Sequence, residues 1–294
     1  MARRAPAVAA WCWLLLPPLL LLVLNRLIHR GLAPERVVER GVPENLPWRA
    51  VRLPTANGKS LFGWFIPADE RAPALVVMHG WSGNAEMMLP LAAPLHGAGY
   101  SLLLLDARCH GSSDDDSFAS LPRFAEDIEA GLAWLAVQPE VDPGALGVIG
   151  HSVGAGAALL AASRREGIRS VVSIAAFAHP AAMMRRWLRA MHIPFWPLGA
   201  YILAYVQRVI GHRFDAIAPS CSITRVACPV LLVHGLADPT VPVAEARQIH
   251  AAARPGLAEL LLVPGSHDDY GDIGERLEVL RHFLDRCFGR QAGP

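Results

Sequence analysis

The sequence predicts an α/β architecture, a mostly parallel eight-stranded sheet with helices on both faces. Three observations carry that prediction. Short, fully apolar runs recur along the chain, as strands buried on both faces require. They alternate with longer segments of helical character. Between one such run and one such segment sits Gly150-His151-Ser152-Val153-Gly154, a serine framed by glycines.

In chain order, residues 49–53 and 60–66 flank Asn57-Gly58, a strong hairpin signal between apolar runs. Residues 74–78 read as a continuous apolar strand and 85–96 as a helix. Residues 100–105 form the next strand, and 121–137 an amphipathic helix. Residues 145–149 lead as a strand into Ser152. Residues 153–163 follow as a helix, rich in Ala and Leu and free of Pro. Residues 170–174 are another strand, and about 177–213 a helical, aromatic-rich insert. Strands at 230–233 and 260–263 bracket a helix at 243–253, and a helix at 273–288 closes the chain. No internal repeat is present.

With 294 residues, the chain suits one large domain or two small ones. Its charged fraction of 18% is low against the usual value of about 25%. A net charge of +1 supplies no field to attract nucleic acid, so no nucleic-acid partner is expected. Cys12, Cys109, Cys221, Cys228 and Cys287 are an odd set in a long chain, with no C-x-x-C pair and no zinc-ligand spacing. They read as unpaired thiols, and neither metal nor cofactor is expected.

Between Arg4 and Arg26 no residue is charged. Twenty helical residues span about 30 Å, the thickness of a bilayer's hydrocarbon core. Residues 1–25 are therefore expected to form a single-pass membrane anchor. A cleaved signal peptide is the alternative, although no small-x-small cleavage site follows. Arg26, Arg30, Arg36 and Arg40 outnumber Arg3 and Arg4, which tilts the orientation towards a cytoplasmic catalytic domain. Residues 26–47, with Pro34, Pro43 and Pro47, read as a linker to a domain over 48–294.

A G-x-S-x-G between strand and helix lifts a serine hydroxyl clear of the sheet on a sharp turn. Hydrolytic serine chemistry then needs a base, an acid to orient it and an oxyanion site. On such a sheet the order is Ser, then Asp or Glu, then His. Asp238 lies in the loop after the 230–233 strand, where open α/β sheets place their sites. His267 lies in the loop after the 260–263 strand. Ser152, Asp238 and His267 are thus the candidate catalytic residues. His234 is a rival base, and His79, His110 and His151 read as supporting residues. The expected oxyanion donors are backbone amides. One is Val153, at a helix start where dipole and free N–H groups favour an anion. The other is Trp81, in the loop after the 74–78 strand.

These residues resemble the α/β-hydrolase superfamily, in particular the short-lidded serine hydrolases related to monoglyceride lipases, esterases and serine aminopeptidases. The resemblance runs from about residue 48 to 288. It implies Ser152 as nucleophile, Asp238 as acid, His267 as base, and a helical lid at about 176–222. Asp106-Ala107-Arg108-Cys109-His110-Gly111-Ser112-Ser113 also looks like the family's D-x-R-G-H-G-x-S segment, with Cys109 where Gly is usual. The implied activity is hydrolysis of a carboxylic ester or related acyl compound through an acyl-enzyme. The alternatives are a peptidase or amidase, an acyltransferase, and a silent membrane-tethered binding protein on the same fold. The aromatic insert adds Trp187, Phe195 and Trp196 as candidate substrate contacts for an apolar small-molecule acyl substrate. The competing expectation is that they only pack the lid or touch a membrane. Arg185, Arg186 and Arg189 read as a solvated helix face.

Overall fold

Eight strands form one continuous hydrogen-bonded sheet in this computed structural model, which describes residues 8–268 and 273–290. They are β1 (Arg49–Thr55), β2 (Lys59–Ile66), β3 (Ala72–Met78), β4 (Ser101–Leu105), β5 (Val141–His151), β6 (Ile168–Ile174), β7 (Val230–Gly235) and β8 (Ala258–Val263). Their spatial order is β1-β2-β4-β3-β5-β6-β7-β8. β2 runs antiparallel to both β1 and β4, and every later pairing is parallel. The chain winds from β3 to β4 on one side, then crosses back to β5 on the other. The carboxyl ends of β3 and β5 therefore border the switch point, where such sheets open a crevice.

The strands' two-residue period divides the core between the two faces. Val76 and Met78 of β3 join the larger core cluster, under α3 (Leu121–Leu135), α4 (Val153–Ala162) and α9 (Val243–Ala252). Leu75 and Val77 join the other, under α2 (Ala92–Gly97) and α10 (Ile273–Phe288). Ser120 caps α3 by accepting from the Arg123 N–H at 3.4 Å, and Pro122 suits its first turn. The single helix expected over 85–96 is instead a 3-10 helix, Ala85–Leu91, followed by α2. Pro90 lacks the N–H that an α-helix through this point needs. Between β6 and β7 lies the helical insert: α5 (Pro180–Ala190), α6 (Ala200–Ile210), α7 (Phe214–Ile217) and α8 (Pro219–Ser222).

The N-terminal expectation of a single-pass membrane anchor needs correction. α1 (Val8–Arg30) is helical, but no helix among the described residues is long and apolar enough to cross a membrane. Residues 1–7 of the expected segment lie outside the described residues. The physical reason is that α1 runs on into Asn25, Arg26, His29 and Arg30, and its final turns pack on the domain. Ile28 and Leu32 lie against the larger core cluster. Tyr201 Oη of α6 donates to Asn25 Oδ1 at 2.5 Å. The chain after α1 is strapped down as well. The Ala119 N–H donates to Leu32 O at 2.9 Å, and Arg36 Nη1 donates to Ser113 O at 2.9 Å. The Arg40 and Gly41 amides donate to the Glu86 carboxylate at 2.7 and 3.1 Å.

Candidate active site

At the end of β5 the backbone turns sharply into α4. Ser152 holds φ 53° and ψ −115°, a strained conformation for a residue with a Cβ. The turn is so tight that a Cβ on Gly150 would lie 2.3 Å from Gly154 O, and one on Gly154 would lie 2.4 Å from His79 O. Both glycines of the G-x-S-x-G motif are thus explained by close backbone approach.

Three loops on neighbouring strand ends bring Ser152, His267 and Asp238 into one hydrogen-bonded line. His267 Nε2 lies 3.0 Å from Ser152 Oγ, and His267 Nδ1 lies 2.7 Å from Asp238 Oδ2. A carboxylate can only accept, so Nδ1 carries the proton and Nε2 is left to accept from the serine hydroxyl. Asp238 Oδ1 accepts from the Thr240 and Val241 amides, each at 2.8 Å, which fixes the carboxylate's rotamer. His234, the rival base, donates from Nε2 to Val241 O at 2.8 Å and lies 3.4 Å from Asp238 Oδ2. It packs behind the acid. His151 Nε2 donates to the His267 carbonyl at 3.0 Å and so braces the loop that carries the base. Burial lowers the His151 pKa and favours its neutral form.

The loop after β3 brings Trp81 beside Ser152. Gly80 permits this, since a Cβ there would stand 3.1 Å from Ser152 Cβ. His79 staples the loop to its neighbour: Nδ1 donates to Gly80 O at 2.6 Å and Nε2 accepts the Ala107 N–H at 3.1 Å. Burial drives its pKa well below the usual histidine value, so the neutral tautomer persists. His110 packs between Trp81 and Phe124, with ring centroids 5.9 and 5.0 Å away. Arg108 anchors the 106–113 loop through its bond from Nε to Asp127 at 2.8 Å. Cys109, where the family's pattern has Gly, holds φ 68°. The left-handed backbone that explains a glycine is present without the glycine.

Ser152, Val153 and Trp81 open onto a cavity of about 450 Å³. Met183, Met184, Trp187 and Leu188 line it from α5, and Ile202 and Val206 from α6. Among the described lining residues the only side-chain hydroxyls are those of Ser152 and Ser120. Trp187 is thus one of the cavity's lining residues. Phe195 and Trp196 do not line the cavity: Phe195 lies under the Arg185 guanidinium at 4.9 Å, and Trp196 is 76% exposed. Arg186 pairs with Glu245, whose carboxylate also accepts the Ala178 N–H at 2.7 Å. That pair ties α5 to α9. The wall that sequence reasoning missed is α1, which contributes Leu24, Leu27 and Ile28, followed by Leu32. Their spacing is a helical face, apolar positions set among Asn25, Arg26, His29 and Arg30, a signal that the division into anchor and linker cut in two.

The sheet order, the strained serine turn and the crevice at the switch point define an α/β hydrolase. The family model for serine aminopeptidase S33 matches residues 69–203. An uncharacterized protein of Mycobacterium tuberculosis is 32% identical over 249 residues, covering 80% of this chain and 79% of its own. The uncharacterized protein YfhR of Escherichia coli is 27% identical, covering 77% and 78%. Among solved structures, the Pyrococcus furiosus esterase Pf2001 superposes with a TM-score of 0.72 at 24% identity, covering 87% of this chain and 97% of that one. Est1E from Butyrivibrio proteoclasticus, solved with ferulic acid, gives 0.65 at 20% identity, covering 82% and 100%. The chain belongs with the Mycobacterium tuberculosis protein to the α/β hydrolases, is similar to the serine aminopeptidase S33 model over residues 69–203, and its chemistry is hydrolytic.

Proposed function

We propose that this hydrolase cleaves carboxylic esters with an apolar acyl group, using Ser152 as nucleophile, His267 as base and Asp238 as acid. The observation that carries the proposal is the hydrogen-bonded line from Ser152 Oγ through His267 to Asp238, opening onto an apolar cavity. In this reading His267 Nε2 takes the hydroxyl proton as Ser152 Oγ attacks the ester carbonyl. The Trp81 and Val153 amides stabilise the tetrahedral oxyanion, and removing one such donor typically costs about 10²–10³ in rate. His267 then protonates the leaving alcohol. A water molecule, deprotonated by His267, attacks the acyl-enzyme and releases the acid. Asp238 holds the imidazole in its tautomer and offsets the charge that forms. The apolar lining favours an ester acyl chain over a charged peptide, because an unpaired charge in such a cavity carries a large desolvation cost. The likeness to the Pyrococcus furiosus esterase supports the same choice.

A fluorophosphonate probe tests the proposal. Labelling is expected at Ser152 and is expected to vanish in Ser152→Ala. Ester turnover that survives in Ser152→Ala overturns the nucleophile assignment.

A further inference from the structure

We infer that α1 is a specificity-determining wall of the acyl site: the face formed by Leu24, Leu27 and Ile28 sets the length of acyl chain the enzyme prefers. The inference rests on the ester-hydrolase reading and extends it to a substrate class, esters of medium-length fatty acids. Three observations carry it. First, these residues fall at i, i+3 and i+4, with Gly31 at i+7, so they share one side of the helix, and all four line the cavity that reaches Ser152. Leu22, in contrast, lies on the other side of the helix and lines a separate groove with Arg26, Arg30 and Tyr205. Second, the wall is held at defined polar points. Asn25 accepts from Tyr201 at 2.5 Å, His29 Nε2 donates to Ser117 O at 2.9 Å, and Leu32 O accepts from Ala119 at 2.9 Å. A helix docked only by apolar contact could slide; these bonds fix its register against α6 and the loop before α3. Third, the cavity is apolar on the lid side as well, so a ligand chain between α1 and α5 meets side-chain methyl and methylene groups on both flanks. Nothing there rewards a polar substituent on the chain.

Each methylene that enters such a wall should raise kcat/KM about fourfold until the cavity is full. The test uses the full-length chain and p-nitrophenyl esters from acetyl to dodecanoyl. Ile28→Trp should narrow the cavity and lower the octanoyl-to-acetyl ratio of kcat/KM by tenfold or more. Ile28 also packs on the core, so Leu27→Trp is the second variant; Leu27 is 60% exposed and tolerates bulk better. Leu22→Ala, on the opposite side of α1, should keep the ratio within twofold. A second arm needs no turnover: butyric, octanoic and decanoic acids are titrated into Ser152→Ala protein and followed by tryptophan fluorescence, since Trp81 and Trp187 both line the cavity. Octanoate should bind more tightly than butyrate, and Leu27→Trp should abolish the difference. Chain-length profiles and alkanoate affinities that are the same in unmutated, Ile28→Trp and Leu27→Trp proteins overturn the inference. Absence of ester turnover and of fluorophosphonate labelling, with alkanoate binding still sensitive to Leu27, overturns the ester-hydrolase reading and leaves the wall standing.

Discussion

Cys109 shows how a single residue can depart from its family's pattern while the backbone does not. Its φ of 68° is left-handed, a region that costs a non-glycine residue roughly 1–2 kcal/mol. The thiol offers partial compensation: Sγ donates to Asp116 O at 3.4 Å and accepts the Asp116 N–H at 3.2 Å. Burial also raises its pKa, which keeps it a neutral thiol beside the site. Two substitutions separate the strain from the thiol's bonds. Cys109→Ala loses the thiol and keeps the strain, whereas Cys109→Gly loses the thiol and relieves it. Cys109→Gly should therefore be the more stable of the two by about 1 kcal/mol, read from urea midpoints. If Cys109→Ala proves the more stable, the left-handed backbone is not a source of strain at this position.

At the scale of elements, the strap between α1 and β1 is fastened by a pair of carboxyl groups. Asp106, at the end of β4, accepts the Ala85 and Ser112 amides at 2.7 Å each, and its carboxyl group lies beside that of Glu39 in the strap. Burial and the neighbouring Glu39 carboxylate push the Asp106 pKa up to about 9. Glu39 moves the other way: burial would raise it, but bonds from Asp106 and Ser112 outweigh that. Between the lowered Glu39 pKa and about pH 9 the pair carries one proton and the strap holds. The raised Asp106 pKa contributes stability that is fully present only below the ordinary carboxylate range and is lost progressively as pH rises to about 9. The lowered Glu39 pKa contributes stability that is lost as pH falls through its folded value. Thermal stability should thus fall between pH 7 and pH 10. Glu39→Gln should flatten that fall, because its amide N–H can donate to ionised Asp106 and no like charges then meet. A steeper or equal fall in Glu39→Gln would rule out the shared proton as the cause. None of this could be read from Glu39 in the sequence, where it is one acid among alternating charges; its meaning depends on which loop it meets.

Across the whole molecule, what could be read in advance followed local rules. Apolar runs with turn residues between them marked all eight strands, since strands buried on both faces carry that pattern on their own. Ser152, Asp238 and His267 each follow a strand, so the topology alone brings their loops to one edge of the sheet. Direction is harder to read than density. Trp187, Phe195 and Trp196 are equally aromatic, yet among them only Trp187 lines the cavity, because Phe195 packs on the larger core cluster and Trp196 turns outwards. α1 was hardest of all. Before Asn25 nearly every residue is apolar and no face stands out, whereas Leu24, Leu27 and Ile28 alternate with Asn25, Arg26, His29 and Arg30 and lie across the boundary drawn between anchor and linker. Length then argues for a bilayer, and only tertiary contact reveals the true partner. A chain beginning at Gly41 puts this in its sharpest form. It keeps Ser152, His267, Asp238 and the whole sheet, but loses α1 and Glu39. Ile28 and Leu32 are each half-buried against the core, so their loss should cost about 2 kcal/mol and lower the melting temperature by roughly 4–8 °C. The same chain should lose its preference among acyl lengths, because one flank of the cavity then opens to water. Calorimetry and the ester series measure the two effects on one sample. If the shortened chain melts with the full-length protein and keeps its length profile, then α1 is an appendage and the cavity's missing wall lies elsewhere.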